Sequence, residues 1–380
     1  MKISLTNLDR QLAVTSRQWR PALRRMLARG QFVLGGEVSA FEREFADHMG
    51  AAHAVGVGSG TAAIELCLRA EGLHPDRNEV VLPALTSLFT AQAILAAGGR
   101  PRFADVSPET LLLDAESAAP MAGSRTAAIL PVHLYGRPCG LRPLLALARR
   151  WEAVLVQDAC QAHGARHEGR PLTDFGRWVC YSFYPTKNLG CLGDGGAVTT
   201  NLRNAAGRIR LLRDGGRDGG QVSRLKACHS RLDEIQACFL RVFLRKLDHW
   251  NGRRARLASL YDEALAGCPG VGLVQRGPES VNHLYVIRAE QRDRLRAWLT
   301  KRGIVTGVHY PVPLHLQPAF REFGGKAGSL PHAEQACREI LSLPLNPCLD
   351  QADVLKVAES VVAFYSRKQA RPKRPAIAAH

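Results

Sequence analysis

Lysine is scarce in this 380-residue chain: nine stand among 51 basic side chains, so arginine carries most of the positive charge. Acidic residues number 34, which leaves a formal charge of +17. Such a balance suits nucleic acid, a phosphorylated substrate or a membrane surface. No recognition motif accompanies it, and the arginines are spread along the chain, so it reads as composition bias and nucleic acid is not expected as a partner. No apolar run approaches the ~18 residues of a membrane span, and Met1 to Val14 lack the charged-then-apolar layout of a signal peptide. Neither export nor membrane contact is expected, and the expected location is the cytoplasm. The ten cysteines include no Cys-x-x-Cys pair and no Cys/His cluster at zinc spacing, and His309 and His315 also miss metal-ligand spacings. Buried thiols in a reducing compartment are expected, with no metal. Aromatics make up only 6%, but 46% apolar and 22% charged residues suit a globular protein and exclude a disordered one.

What is present is an alternating rhythm. Val38, Phe41, Phe45 and Met49 recur at helical spacing ahead of the first strand. Short apolar runs follow at 54–57, 80–82, 102–104, 127–130, 153–156, 179–183 and 196–199, mostly separated by helix-like segments such as 62–70 and 141–150. This predicts an α/β fold with a mostly parallel, seven-stranded sheet. A long helical pattern runs from Leu232 to Leu265 with an expected break near Asn251-Gly252. Beyond it, a strand at 285–287, a helix at 292–302, a strand at 304–308 and helices at 333–341 and 351–365 suggest a smaller α+β unit. The expected division is a large domain over residues 1–250 with a helical N-terminal segment, a small C-terminal domain over 251–365, and a basic, disordered tail over 366–380.

Three features fall at the carboxyl ends of predicted strands, the edge where open α/β sheets bind ligands. Gly58-Ser59-Gly60-Thr61 opens a helix, and its small residues free backbone N–H groups for an anion. No Gly-Lys-Ser/Thr follows, so it is not a Walker loop. Asp158 ends the run Val154-Leu155-Val156-Gln157, where a carboxylate can keep a heterocyclic nitrogen protonated. Lys187 stands between a buried strand and the glycine-rich turn Gly193-Asp194-Gly195-Gly196, where desolvation lowers an amine's pKa. Phosphate cup, strand-end carboxylate and lysine, in that order, describe a pyridoxal phosphate site with Lys187 as the Schiff-base residue.

Over nearly its full length the chain resembles the sugar aminotransferases of the DegT/DnrJ/EryC1/StrS family, pyridoxal 5'-phosphate enzymes of fold type I. The matching segments are Gly30 to Gly36 with Phe41-Glu42, Gly58 to Thr61, Asp105 to Pro108, Pro131 to Gly136, Asp158 to Gly164, Ser182 to Gly190, Ser230 to Ala237 and Gly303 to His315. The resemblance implies that Lys187 holds the cofactor and shuttles protons, that Asp158 partners the pyridine nitrogen, and that Gln161 lies near the ring hydroxyl. Gly60, Thr61 and Ser182 match phosphate contacts, and His309 and Tyr310 match a segment near the substrate. It also implies a homodimer with a shared active site, in which the residue before Ser230 reaches the other subunit's phosphate. That residue is Asn in the family and His229 here. Ser87 stands where the family often places a ring-stacking aromatic, with Phe89 two residues on, and Gln157 replaces an acidic residue.

The function expected is transfer of an amino group from an amino acid, L-glutamate by resemblance, to a keto sugar, usually nucleotide-linked, or a keto-cyclitol. A dehydratase or aromatising enzyme of the same fold is the alternative, although the sugar dehydratase branch carries histidine where Lys187 stands. A nicotinamide dehydrogenase is disfavoured because Thr61 occupies the place of a fingerprint glycine.

Overall fold

The computed structural model describes residues 2–218 and 220–369. Seven strands form the main sheet: β1 (His53–Val57), β2 (Glu79–Pro83), β3 (Arg100–Ala104), β4 (Thr126–Ile129), β5 (Val154–Asp158), β6 (Trp178–Ser182) and β7 (Gly196–Thr200). Their order is β1-β7-β6-β5-β4-β2-β3. All neighbouring pairs are parallel except those of β7, which runs antiparallel to both β1 and β6. Helices cover both faces, which is why the strand centres are apolar without alternation. Val55, Val80, Val156 and Val198 are all fully buried. With β7 reversed, β1, β5 and β6 share a direction, so their carboxyl ends meet at one edge.

The helix expected from Val38, Phe41, Phe45 and Met49 spans Gly36–Met49 and buries all four. Its aromatic stripe meets β6 and the residue after it: Phe41 packs edge-on to Phe183 at 5.3 Å, and Phe45 to Tyr181 at 5.1 Å. Fully burying such side chains stabilises the fold by ~1.5–3 kcal/mol each, and here that energy fixes the segment leading to Lys187. The carboxylate of Glu234 accepts from the backbone N–H groups of Gly35, Glu37 and Val38, each at 2.8 Å, and satisfies the N-terminus of the same helix.

Two expected elements are corrected. The break in the 232–265 pattern lies at Arg245-Lys246, between helices Glu234–Leu244 and Leu247–Leu265, and Asn251-Gly252 is helical. Asn251 is held from its side chain, donating to the His163 carbonyl at 2.9 Å and accepting from Asn188 at 2.8 Å. Residues 304–308 form no strand; Ile304 and Gly307 make single bridges, to Ile3 and Ser342. The last helix, Gln351–Gln369, takes in the start of the expected tail, whose remainder lies outside the described residues.

A second sheet joins Val271–Leu273, Tyr285–Ala289 and Ile340–Leu343 in that order, antiparallel throughout. Around it lies a second core of Leu257, Tyr261, Ile287, Leu295, Leu341 and Val357, which Ile3 joins from the start of the chain. Helix Leu247–Leu265 belongs to both cores, with Leu247 and Trp250 in the larger and Leu257 and Tyr261 in the smaller. No helix among the described residues is long and apolar enough to cross a membrane.

Candidate active site

At the shared carboxyl edge, β1 runs into helix Gly60–Glu71. Ser59 is its N-cap, its Oγ accepting from the Ala62 N–H at 3.0 Å, and Gly58 N–H donates to Ser230 Oγ at 3.0 Å. Two glycines let other chain segments press against this turn. A Cβ on Gly60 would lie 2.7 Å from both Cys160 Sγ and Ser182 Cβ, and one on Gly196 would lie 2.3 Å from the Ser59 carbonyl oxygen. The result is a cradle of small residues over a helix N-terminus, the electrostatic setting for a phosphate.

Asp158, at the end of β5, is buried. Its Oδ2 accepts from Thr90 Oγ1 at 2.9 Å and its Oδ1 from the Cys160 N–H at 3.1 Å. Thr90 lies in helix Leu88–Ala96, which Ser87 caps by accepting from the Phe89 N–H. Lys187 follows β6 in a turn closed by its own N–H to the Tyr184 carbonyl at 2.9 Å. Burial pushes its ammonium below the ordinary 10.5, while Cys160 and Asp158 pull the other way. His163 lies beneath, its Nε2 donating to the Ser182 carbonyl at 2.9 Å; burial, aided by the Lys187 charge, lowers its pKa to about 3 and keeps it neutral.

The opposite contribution comes from the loop after residue 303. Tyr310 Oη accepts from Gln161 Nε2 at 3.2 Å, and burial raises its pKa to about 12. Gln161 Oε1 in turn accepts from the Tyr135 N–H at 2.7 Å, and the Tyr135 hydroxyl donates to the His309 carbonyl. His309 pairs with Ser342 Oγ at 2.8 Å.

Many of these groups line one cavity of about 840 Å³. Of the residues expected at the site, Gly60, Thr61, Ser87, Asp158, Gln161, Ser182, Lys187, His309 and Tyr310 all line it. His229 does not: it is exposed and bridges to Asp214. Phe89 lines the cavity but is 60% exposed. The residues present suit pyridoxal phosphate: a glycine cradle at a helix N-terminus for phosphate, a buried carboxylate for the ring nitrogen, and an amine of lowered pKa.

Sequence reasoning missed Thr90, His283 and Arg254, which also line the cavity. Thr90 carries no motif, and Arg254 lies in the arginine-rich run Arg253-Arg254-Ala255-Arg256 of an otherwise ordinary helix. His315, singled out with His309, is buried and pairs with Glu334 at 3.1 Å instead of entering the site.

The sequence model of the DegT/DnrJ/EryC1/StrS aminotransferase family matches residues 15–362. A dTDP-3-amino-3,4,6-trideoxy-alpha-D-glucose transaminase of Streptomyces venezuelae is 44% identical over 91% of this chain and 92% of its own length. A UDP-2-acetamido-2-deoxy-3-oxo-D-glucuronate aminotransferase of Pseudomonas aeruginosa is 33% identical over 93% of this chain and 97% of its own. Among solved structures, S. venezuelae DesV superimposes with a TM-score of 0.93 at 42% identity, covering 96% of this chain and 99% of DesV.

Proposed function

The chain belongs to the DegT/DnrJ/EryC1/StrS aminotransferase family, whose members are pyridoxal-phosphate-dependent transferases, and from that premise we propose that it transfers the amino group of L-glutamate to a nucleotide-linked 3-keto sugar. The observation that carries this reading is the meeting of Lys187, Asp158 and the Gly60 cradle in one cavity. The names of the S. venezuelae and P. aeruginosa relatives both put an amine or a ketone at carbon 3 of a nucleotide sugar, which supports that acceptor.

When bound, pyridoxal phosphate supplies an electron sink for the carbon that carries the amino group. Asp158 holds the positive end of that sink, its other lone pairs already engaged by Thr90 and Cys160. The N–H groups at Gly60 and Thr61 and the side chain of Ser182 take the phosphate. Lys187, whose ammonium burial pushes below its ordinary pKa, takes the proton from the donor's α-carbon and returns one to the acceptor's carbonyl carbon in the second half of the cycle. The Tyr310 hydroxyl, fixed by Gln161, orients the sugar, with His309 beside it. Over the full cycle a ketone and L-glutamate become an amine and 2-oxoglutarate.

The working unit in this reading is a homodimer with a shared site. Exposed Phe32, Phe89, Tyr184 and Leu192 supply apolar surface for a second copy, and Phe89 and Tyr184 also line the cavity. His229, exposed and outside its own chain's cavity, is assigned in this reading to the phosphate of the second copy. The large and small domains divide near residue 250, supported by the two cores that helix Leu247–Leu265 joins. Ten free cysteines support a reducing, cytoplasmic setting. The test is incubation of the cofactor-loaded protein with L-glutamate and a dTDP-linked 3-keto sugar. Amino-sugar and 2-oxoglutarate should appear in equal amounts, and release of 2-oxoglutarate without amination of any nucleotide-linked ketone would sink the acceptor assignment.

A further inference from the structure

His283 lines the catalytic cavity and is 6% exposed. Its main chain is engaged elsewhere: the N–H donates to the Tyr135 carbonyl at 2.9 Å, and the carbonyl accepts from Arg254. What it brings to the cavity is the imidazole, and a chain of neighbours decides which ring nitrogen carries the proton. Asn188, the residue after Lys187, gives its amide N–H groups to the Val281 carbonyl at 2.9 Å and to Asn251 Oδ1 at 2.8 Å. A carbonyl can only accept, so the Val281 oxygen fixes the Asn188 amide nitrogen on its own side. The His163 carbonyl fixes Asn251 in the same way, accepting from its Nδ2 at 2.9 Å. The Asn188 oxygen is therefore turned to His283 Nδ1, 3.0 Å away, and that contact is a hydrogen bond only if Nδ1 bears the proton.

Burial first, then the charges of Lys187 and Arg254, push the His283 pKa well below the ordinary 6.5, so the ring is neutral. A neutral imidazole protonated at Nδ1 carries a bare lone pair at Nε2. That nitrogen has no hydrogen-bond partner among the described residues. Nor is it enclosed, in contrast to the unpartnered Nδ1 atoms of His163 and His315. It opens on the cavity as an acceptor. His309, on the same cavity, is not fixed in this way, because the Ser342 hydroxyl at its Nδ1 can donate or accept.

We infer that Nε2 of His283 accepts a hydrogen bond from a ring hydroxyl of the acceptor sugar, which makes His283 a specificity-determining residue for the second half of the cycle. The inference rests on the transaminase reading and deepens it. The two substrates that share the cavity differ in what they can offer a lone pair. L-Glutamate brings carboxylate oxygens, which the lone pair repels, and one amino group, which has to meet the cofactor beside Lys187. A sugar brings hydroxyls, each with a hydrogen to give. A ketone seated here without one would leave Nε2 desolvated and unpaired, a cost that discriminates against it. The Lys187 amine is the competing donor.

The test is a calorimetric titration of protein loaded with pyridoxamine phosphate, using dTDP-glucose, which has hydroxyls and no ketone, with dTDP as the reference. An asparagine amide nitrogen takes the place of Nδ1, and a glutamine amide oxygen can take that of Nε2. His283→Asn, which keeps the bond to Asn188, should weaken dTDP-glucose by about tenfold while dTDP stays within about threefold, and His283→Gln should recover most of the loss. The opposite order, asparagine like wild type and glutamine impaired, means that the ring acts only through Asn188 and overturns the inference. An equal loss of dTDP and dTDP-glucose assigns it to the nucleotide, and an altered visible band with unaltered sugar affinity assigns it to Lys187; either overturns the inference. If neither variant folds, nitrogen-15 spectra of histidine-labelled wild type decide. A ring protonated at Nδ1 should show an Nε2 resonance that moves with dTDP-glucose and not with dTDP, and the lack of such a ring overturns the inference. These outcomes, in protein whose visible band responds to L-glutamate, overturn the inference alone. Wild-type protein that takes up no pyridoxal phosphate, or whose band ignores L-glutamate, overturns the transaminase reading with it.

Discussion

Acid should destabilise this protein through histidines buried neutral around the site. His163 is fully buried with Nε2 on the Ser182 carbonyl, no partner for Nδ1 among the described residues, and its ring 5.5 Å from that of Tyr181. His133, equally buried, donates from Nε2 to Gln157 at 3.1 Å and accepts the Cys139 N–H at Nδ1 at 3.0 Å. Burial holds their pKa values at about 3 and about 4, against 6.5 in the unfolded chain. The folded state therefore binds fewer protons than the unfolded state below pH 6.5. The stability gained from the neutral rings is complete above that value and is lost as pH falls toward the folded pKa values. Between pH 7 and pH 5 the linkage relation gives a loss of about 2 kcal/mol for each ring. Their sum, about 4 kcal/mol, is a large share of the ~5–15 kcal/mol by which domains are stable. Urea unfolding at the two pH values, for wild type and His163→Gln, isolates one ring, since a glutamine amide can still donate to the Ser182 carbonyl. The variant should lose about 2 kcal/mol less than wild type on acidification. A variant with the wild-type pH dependence would refute the account of His163 as buried and neutral.

Three further outcomes are expected. Lys187→Ala should abolish cofactor that borohydride can fix to the protein while leaving the circular dichroism of the fold intact; reducible cofactor in the variant would overturn the lysine's role. Gly60→Ala drives a Cβ to within 2.7 Å of Cys160 Sγ and Ser182 Cβ, a strain of ~1–3 kcal/mol, and the affinity for pyridoxal phosphate measured by fluorescence quenching should drop by roughly tenfold or more; unchanged affinity would mean the cradle is not the phosphate seat. Light scattering should give the mass of a dimer, and His229→Ala should lower cofactor affinity within that dimer; a monomer with full cofactor affinity would remove the shared site.

How much of this was legible in the sequence depends on whether a residue acts through local pattern or through partners far along the chain. The seven strands were legible because each is a short apolar run covered on both faces, and the edge they share followed from the α/β rhythm. The break in the 232–265 helix was misplaced because a glycine is a local signal, while what keeps Asn251-Gly252 helical is a bond from Asn251 to His163, far away in sequence. Residues 304–308 are mostly β-branched, as in a strand, yet Ser342 and Ile3 offer them only single bridges. The resemblance picked out segments without saying why they recur. Several prove to be joints: Glu234 holds the start of helix Gly36–Met49, Glu42 receives the Gly56 N–H and Arg213, and Asp105 accepts from the N–H groups of His332 and Ala333 at the start of helix Pro331–Glu339.

Arg254 marks the limit of that legibility. In a chain with nine lysines a lysine is conspicuous, and Lys187 stood out for that reason. In a chain so rich in arginine, one more arginine beside Arg253 and Arg256 on a helix carries no signal at all. What distinguishes it is that it is buried with carbonyl partners and, among the described residues, no carboxylate, which can be seen only once the fold has shown what is within reach. The same comparison separates the two buried arginines. Arg213 has the carboxylate of Glu42, whereas Arg254, among the described residues, is met by the carbonyl oxygens of Leu345 and His283.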